Sequence, residues 1–201
     1  MNRQRLDRNW LILAAAAGFS LLAYLLVSQV TFRLGFPLDD AWIHQTYARN
    51  LANLGQWAFI PGKISAGSTA PFWSLLISIG YFLHLNPLIW TYIAGWASLL
   101  GLAYIGDRLG RLFSGGAYRF PWIGIFLALE WHLVWAAGSG METGLHALLI
   151  LAVFWMLAGN RIPALVVGLV CGLTVWPSRL RISVSMGVVR SGCCSRRAIA
   201  R

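Results

Sequence analysis

The residues from Trp10 to Phe32 form an uncharged run that constrains the fold more than any other part of the chain. As an α-helix at 1.5 Å per residue, this run is about 34 Å long, which is enough to cross the hydrocarbon core of a bilayer. The arginines at positions 3, 5 and 8 give it the basic flank of a signal peptide. A cleaved signal peptide has a shorter apolar core and a small-residue cleavage site, whereas this run continues into Gln-Val-Thr-Phe-Arg. We therefore expect a retained membrane anchor.

Apolar side chains are too abundant in this chain for a single water-soluble core. Of the 201 residues, 58% are hydrophobic, 11% are charged and 11 are tryptophan, so few charges remain to cover a soluble surface. A formal net charge of +10 would suit a nucleic-acid partner, but the basic residues lie in short clusters and form no stripe interleaved with aromatic side chains. The composition therefore predicts a protein of the lipid bilayer that does not bind nucleic acid.

Five further apolar runs follow the first one. They are Pro71–Leu85, Pro87–Gly106, Phe120–Ala137, Gly144–Ala158 and Ile162–Trp176. If every run crossed the membrane, the basic cluster Arg108–Arg119 would lie opposite the N-terminal arginines, against the tendency of basic loops to stay cytoplasmic. One run should therefore not cross. Pro71–Leu85 is the candidate, because its residues reach only about 22 Å as a helix.

The sequence thus predicts an all-α, polytopic membrane helix bundle with about five transmembrane helices. Pro71–Leu85 would form a juxtamembrane or re-entrant helix on the outer side. The chain would be a multi-pass protein of the inner (plasma) membrane with a cytoplasmic N-terminus. This topology also places Asp39, Asp40 and Glu142 together on the outer side, although it was chosen from the basic clusters alone.

Asp39 and Asp40 are two of the six acidic residues in the chain. We expect Asp39 to be a helix N-cap and Asp40 to complement the helix dipole in the first turn. The residues that follow predict an amphipathic helix at the membrane surface, with an apolar stripe at Ile43, Tyr47, Leu51 and Leu54. Capping explains one carboxylate well, but it leaves the second without a partner at a membrane surface.

Glu142 has a structural explanation of its own, whereas Glu130 is harder to explain in that way. Glu142 completes the pattern Ser139-Gly-Met-Glu142, which predicts a capping box before the next apolar run. Glu130 falls about 15 Å into its own run, where an ionisable group usually faces a cavity or a partner. Capping is therefore the better explanation for Glu142 alone, while Glu130 would rise toward the outer surface if its helix were shifted.

The connection PGKISAGSTAP, residues 61–71, contains Lys63, Ser68 and Thr69 but lacks the spacing of a nucleotide-binding P-loop. It is expected to be an ordinary turn. His44 would be solvated on the surface helix, or would contact Asp40 or a substrate. The four histidines are scattered and the three cysteines lack zinc spacing, so the sequence predicts no metal site, no disulfide and no cofactor.

Two segments of the chain together resemble a known family. LDDAWIHQTYARNLANLGQWAFIPGKISAGSTAPFWSLLI, followed further along by SGMETGLHALLILA, is similar to the N-terminal part of bacterial GT-C membrane glycosyltransferases. These enzymes use polyprenyl-phosphate sugars as donors. The resemblance covers roughly Trp10 to Trp176 and implies that Asp39 or Asp40 is the catalytic residue. It also implies that Glu142 lies near the site in the second outer loop.

The resemblance implies inverting sugar transfer at the outer face of the membrane. A carboxylate takes the proton of an acceptor hydroxyl while that hydroxyl attacks the anomeric carbon, and the lipid phosphate departs. The departing phosphate needs positive charge or hydrogen-bond donors. The substrate-binding candidates are then Arg49, Lys63, Ser68 and Thr69 for the phosphate, with His44 and Glu142 beside them.

The end of the chain departs from the family pattern. Family members are usually more than twice as long, and the segment from Pro177 to Arg201 carries six arginines, no acidic residue and no run long enough to cross a membrane. We expect residues 1–176 to be the N-terminal part of a GT-C-like domain and residues 177–201 to be a frameshifted or truncated tail. On that basis the chain alone would neither transfer sugar nor bind the donor.

Two other classes of protein stay open. A transporter subunit would place polar residues near mid-membrane in several spans, and only Glu130 meets that description. A non-enzymatic membrane assembly protein would tolerate the loss of both Asp39 and Asp40.

Overall fold

The computed structural model describes residues 3–159. Within that range the chain is all-helical and forms no strand, which confirms the all-α class. The helices are α1 (Arg3–Thr31), α2 (Asp39–Leu54), α3 (Pro71–Phe82), α4 (Pro87–Phe113), α5 (Trp122–Leu129), α6 (Trp131–Gly138) and α7 (Thr143–Ala158). The predicted span Ile162–Trp176 and the tail from Pro177 lie outside the described residues.

Two of the described helices are long and apolar enough to cross a membrane. They are the part of α1 from Arg8 to Thr31, with 24 residues and a mean hydropathy of 2.2, and α4, with 27 residues and a mean hydropathy of 1.5. The side chain of Asn86 caps α4 by accepting hydrogen bonds from the amides of Leu88 and Ile89, and Pro87 begins the helix. Two such helices suggest a membrane protein, while the bundle of about five spans stays a prediction.

Helix α3 is too short to span a bilayer. Its 12 residues reach about 18 Å, and the backbone turns at His84, which has a φ of 53°. This length agrees with the prediction that the run from Pro71 to Leu85 does not cross. Its position on the outer side stays a prediction.

The run from Phe120 to Ala137 does not form one continuous helix, because the helix breaks at Glu130, while its crossing of the membrane stays a prediction. The backbone of Glu130 is extended, with φ −65° and ψ 123°, so α5 ends before it and α6 begins after it. Its carboxylate accepts hydrogen bonds from the amide of Leu133 and from the ring of His132, at 2.9 and 2.7 Å. Glu130 is thus a helix N-cap, a role that the apolar sequence around it did not indicate.

The first two basic clusters of the sequence lie at the same end of the structure. The backbone carbonyl of Arg119 accepts hydrogen bonds from Asn9 Nδ2, at the start of α1, and from Arg111 Nη2, near the end of α4, both at 3.4 Å. Glu142 and the first turn of α2 lie toward the opposite ends of these long helices. This arrangement agrees with the predicted grouping of the loops, while the side of the membrane that each end faces stays a prediction.

The main core lies between α1, α4, α5 and α6. It is built from small and aliphatic residues: Leu13, Ala17, Leu21, Leu99, Leu100, Ala103, Ala128, Val134 and Ala137. Helices α4 and α6 approach so closely that a Cβ on Gly95 would collide with the backbone carbonyl of Ala137. A second cluster, centred on Trp73 and Ile77, joins α3 to α2 and α4 and supports the site described next.

Candidate functional site

Helix α2 buries a different face from the predicted one, and its place at the membrane surface stays a prediction. It packs against α3, and its buried side chains include the polar residues His44, Gln45 and Asn50. Of the predicted apolar stripe, only Tyr47 is buried, while Ile43 is partly exposed and Leu54 is exposed. The reason is that α3, the following connection and α4 supply hydrogen-bond partners, so the polar side chains can be buried without losing their bonds.

His44 is completely buried and uses both ring nitrogens. Its Nε2 lies 3.1 Å from Glu142 Oε2, and its Nδ1 lies 2.9 Å from Ser74 Oγ. Ser68 Oγ lies 2.9 Å from Ser74 Oγ and 3.4 Å from the same ring nitrogen. We call His44, Ser68, Ser74 and Glu142 the histidine network. It joins α2, the 55–70 connection, α3 and the residue that precedes α7.

The chemistry of these groups determines which atoms donate and which accept hydrogen bonds in the network. An ionised carboxylate only accepts hydrogen bonds, so His44 Nε2 carries the proton that is donated to Glu142. In the neutral ring, Nδ1 then accepts a hydrogen bond from the hydroxyl of Ser74. Burial raises the pKa of Glu142, but the hydrogen bond from His44, a backbone hydrogen bond and electrostatic attraction to the His44 and His146 rings outweigh it and lower that pKa. Glu142 is therefore an ionised partner of His44 at neutral pH.

The predicted capping box at Ser139 and Glu142 is wrong. Ser139 lies at the C-cap of α6, and its hydroxyl donates to the carbonyl of Ala136 at 3.0 Å. Glu142 precedes α7 but makes no side-chain capping bond there, because its carboxylate turns toward His44. A tertiary contact thus replaces the local one that the sequence pattern favoured.

Asp39 and Asp40 occupy the first turn of α2 and are both exposed. The N-cap is Leu38, so the prediction that Asp39 caps the helix is wrong. The position of Asp40 in the first turn is confirmed. Asp39 Oδ1 accepts a hydrogen bond from the Asp40 amide at 3.1 Å. Both carboxylates lie at the positive end of the helix dipole and are open to a substrate.

The connection from Gly55 to Ala70 contains a turn at Pro61 and Gly62, and it is clamped to α2 by hydrogen bonds. Tyr47 Oη lies 2.6 Å from Ser65 Oγ and accepts a hydrogen bond from the Gly67 amide at 2.8 Å. A Cβ at Gly67 would lie 2.9 Å from the same hydroxyl, so a larger residue would push Tyr47 away. Asn50 Nδ2 donates to the carbonyls of Ala58 and Phe59, at 2.8 and 3.1 Å.

The structure brings together three of the predicted substrate-binding residues and leaves three outside. His44, Ser68 and Glu142 belong to the histidine network. Arg49, Lys63 and Thr69 are exposed and make no contact with it in the described hydrogen bonds. Thr69 does line a small cleft together with Glu142 and His146.

Sequence reasoning missed several buried polar residues. Ser74 follows the proline that begins α3 and has no motif around it. Gln45 donates to Thr91 Oγ1 at 2.7 Å and accepts from Tyr81 Oη at 2.9 Å, which ties α2 to α3 and α4. The one available signal was that two polar residues, His44 and Gln45, stand next to each other beside an apolar stripe.

A groove with a volume of about 700 Å³ lies along α1. Its other wall is formed by residues on both sides of the break between α5 and α6. The connection after α1 forms the end that leads to α2. The lining residues are Phe19, Ser20, Ala23, Tyr24, Val27, Ser28, Thr31, Phe32, Arg33, Leu34, Gly35, Phe36, Pro37, Leu129, Trp131, Val134 and Trp135. Arg33 is the single charged residue among them, and the lining ends two residues before Asp39. We call this the α1–α6 groove.

No three His, Cys, Asp or Glu side chains in residues 3–159 gather in a way that could hold a metal ion. The chain matches no protein-family model, no curated protein and no solved structure. A function for this chain therefore has to be argued from its own residues, chiefly the exposed acidic pair, the histidine network and the α1–α6 groove.

Proposed function

We propose that this chain is a membrane glycosyltransferase, or part of one, of the GT-C type. It would transfer a sugar from a polyprenyl-phosphate donor to an acceptor at the outer face of the membrane. The observation that carries the proposal is the α1–α6 groove, whose apolar lining ends two residues before the exposed pair Asp39–Asp40. A polyprenyl chain is apolar and needs such a groove, while its phosphate needs a nearby cation.

In this proposal, the lipid tail lies along α1 and its phosphate approaches Arg33. The anomeric carbon then faces the start of α2. Asp39 or Asp40 accepts the proton of the acceptor hydroxyl as that hydroxyl attacks the anomeric carbon, and the bond to the lipid phosphate breaks. The guanidinium of Arg33 stabilises the negative charge that collects on the leaving phosphate. Arg49, Lys63 and Thr69 are exposed and remain candidates for contacts with the sugar or the phosphate.

The histidine network has a positioning role in this proposal. Ser68 and Ser74 are buried and bonded to each other and to His44, so they hold the 55–70 connection against α2 and α3. Glu142 draws the start of α7 to the same place. The network therefore fixes the position of α2, the helix that carries the acidic pair. Its members do not themselves need to contact the substrate.

That the chain alone does not bind the donor stays a prediction, but the groove favours binding of the lipid part, because its lining belongs wholly to residues 19–135. Binding of the lipid part can be tested with a polyprenyl phosphate that carries a photoreactive group, added to the protein in neutral nanodiscs. Ala23→Trp should fill the groove and weaken cross-linking about tenfold or more, which corresponds to roughly 1.4 kcal/mol of lost affinity.

Leu22→Trp is the matched control, because Leu22 is the neighbouring residue on α1, is exposed and does not line the groove. It should leave cross-linking unchanged. Equal loss in both variants, or cross-linked sites that lie away from the groove, would contradict lipid binding there. Alternatively, the polyprenyl phosphate is bound while neither Asp39→Asn nor Asp40→Asn alters the rate of sugar transfer. That result would favour a transporter or an assembly protein.

A further inference from the structure

Three chain segments meet at the end of the molecule opposite the histidine network. The carbonyl of Arg119 accepts hydrogen bonds from Asn9 and Arg111, which draws the start of α1, the end of α4 and the connection between α4 and α5 together. Arg8 precedes Asn9 directly and is exposed, as is Arg119. We call Arg8, Arg108, Arg111 and Arg119 the basic end.

Two of these four guanidinium groups are held in place by neighbouring side chains. Arg108 donates to Tyr104 Oη from Nε at 3.2 Å and from Nη2 at 2.8 Å, and it also lies over the ring. Arg111 donates from Nε to Asp107 Oδ2 at 2.7 Å and lies over the ring of Tyr118. Guanidinium groups that are already fixed lose less side-chain entropy when they bind an anion.

The charges at this end are unbalanced. Among the side chains described there, Asp107 is the one carboxylate, and it is buried against Arg111. Arg8, Arg111 and Arg119 against this one aspartate leave an excess of two positive charges. In the sequence, Arg3, Arg5 and Asp7 precede this site and add one more. Such an excess of positive charge attracts an anionic partner.

Exposed aromatic side chains surround the basic end. Trp10, Phe113, Phe120 and Trp122 are all exposed, by 39% to 77%. The rings of Phe120 and Trp122 contact each other, with centroids 4.4 Å apart. Aromatic side chains are enriched at the level of the lipid headgroups, where an apolar ring meets water. Exposed aromatic rings beside exposed arginines are the arrangement expected of side chains at the depth of lipid phosphates.

We propose that the basic end binds the phosphate headgroup of an anionic phospholipid. Arginine forms paired, charge-assisted hydrogen bonds with phosphate oxygens, and basic pockets between helix ends are suited to anionic lipids of the cytoplasmic leaflet. The aromatic side chains take the glycerol and upper acyl region of the same lipid. This binding surface is independent of sugar transfer, since it involves none of the residues of the groove or the acidic pair.

The test uses the protein purified in neutral detergent. Phosphatidylglycerol should raise the unfolding temperature, and phosphatidylcholine with the same acyl chains should raise it much less. Native mass spectrometry should show phosphatidylglycerol retained in preference. Raising the salt to about 0.5 M should weaken the effect, because surface electrostatics are screened.

The variant pair separates a specific site from net charge. Arg8→Gln combined with Arg119→Gln should lose at least half of the temperature shift, while the corresponding double lysine variant should keep most of it. Arg49→Gln combined with Lys63→Gln removes the same two charges from the α2 region and should keep the full shift. If the double glutamine variant does not fold, each single glutamine variant is measured instead, and each should lose part of the shift.

Three results would overturn the proposal. The first is an equal shift with phosphatidylcholine. The second is an equal loss in the Arg49→Gln and Lys63→Gln variant, which would mean that only net charge matters. The third is an equal shift with soluble glycerol phosphate, which would assign the site to a free phosphate and not to a lipid.

Discussion

His44 lies where three helices and a connection meet, and each of its ring nitrogens has a partner. A buried donor or acceptor that loses its partner costs about 1–3 kcal/mol, which exceeds the usual net value of the bond itself. Removing His44 would leave two such groups, Ser74 Oγ and Glu142 Oε2, with one partner fewer. His44 therefore stabilises the fold more by supplying hydrogen-bond partners to Ser74 and Glu142 than by the burial of its own ring.

The stability of the network should depend on acidic pH through Glu142. Its folded-state pKa is lowered from the ordinary value of 4.5, so the ionised form is favoured by folding. That stabilisation is fully present above the unfolded value and is lost as the pH falls through the folded value. We expect the unfolding temperature of the wild type to fall more steeply below about pH 4.5 than that of Glu142→Gln. Thermal unfolding in detergent between pH 7 and pH 3 measures this, and parallel curves would contradict it.

The acidic pair gives a second prediction at this scale. Since Leu38 is the N-cap, replacing Asp39 or Asp40 by Asn removes only a dipole interaction, worth about 0.3–1 kcal/mol. If one carboxylate is the general base, its Asn variant should lose activity by roughly a hundredfold or more while remaining folded. Initial rates of sugar transfer and unfolding temperatures of both variants test the general-base role. They are compared with the wild type in a preparation of the protein that transfers sugar. Normal rates in both would remove it.

The sequence patterns predicted which segments lie near this site better than they predicted its hydrogen bonds. The grouping of Glu142 with α2 followed from loop charges, but the Ser139–Glu142 capping box was a local pattern that a distant histidine overrode. Nothing in the sequence around His44 and Ser74 indicates that they meet, because their contact depends on how α2 packs against α3. Periodicity identified the helix but assigned its buried face wrongly, since buried polar residues are indistinguishable from solvated ones by spacing alone.

At the scale of elements, the approach of α4 to α6 depends on a glycine. A Cβ on Gly95 would collide with the carbonyl of Ala137, which is backbone and cannot turn away. Gly95→Ala should therefore destabilise the protein by about 1–3 kcal/mol through overpacking. Gly35→Ala is the matched control, because no atom lies within 4 Å of its added Cβ. Unfolding temperatures in detergent would measure both, and equal stability of the two variants would contradict the packing.

The break at Glu130 shows where sequence reading of an element fails. The run from Phe120 to Ala137 is apolar and has no proline after Pro121, so its length alone predicted one continuous helix. The carboxylate instead caps a new helix by accepting from the Leu133 amide, and His132 satisfies its other oxygen. The long apolar helices α1 and α4 were predicted well because hydrophobic length is a property of the segment itself. A helix break, by contrast, depends on one side chain and on the groups with which it forms hydrogen bonds.

The basic end and the acidic pair Asp39–Asp40 lie at opposite ends of the long helices, and the loop charges predict that the basic end is cytoplasmic. Single cysteines in a background without the native ones can test this. Ile64 is 87% exposed in the 55–70 connection, so Ile64→Cys should react with an impermeant thiol reagent in intact cells. Ala117→Cys, in the exposed connection after α4, should react only after permeabilisation. The reverse pattern would invert the topology.

Glycines in and near these connections are less suitable sites for the introduced cysteines. Gly62 and Gly115 have φ angles of 80° and 61°, which strain a cysteine, and residues 138–140 are buried. An exposed residue with ordinary backbone geometry reports on the side of the membrane without disturbing the fold.

The histidine network also sets an order of events during synthesis. His44 and Ser74 are separated by 30 positions, whereas His44 and Glu142 are separated by 98. At about 5–20 residues per second, the ribosome makes Glu142 roughly 5–20 s after His44. Throughout that interval the inner face of α2 carries an imidazole nitrogen whose partner does not yet exist. The nascent chain must therefore keep α2 in contact with water or with the insertion machinery until α7 begins to emerge.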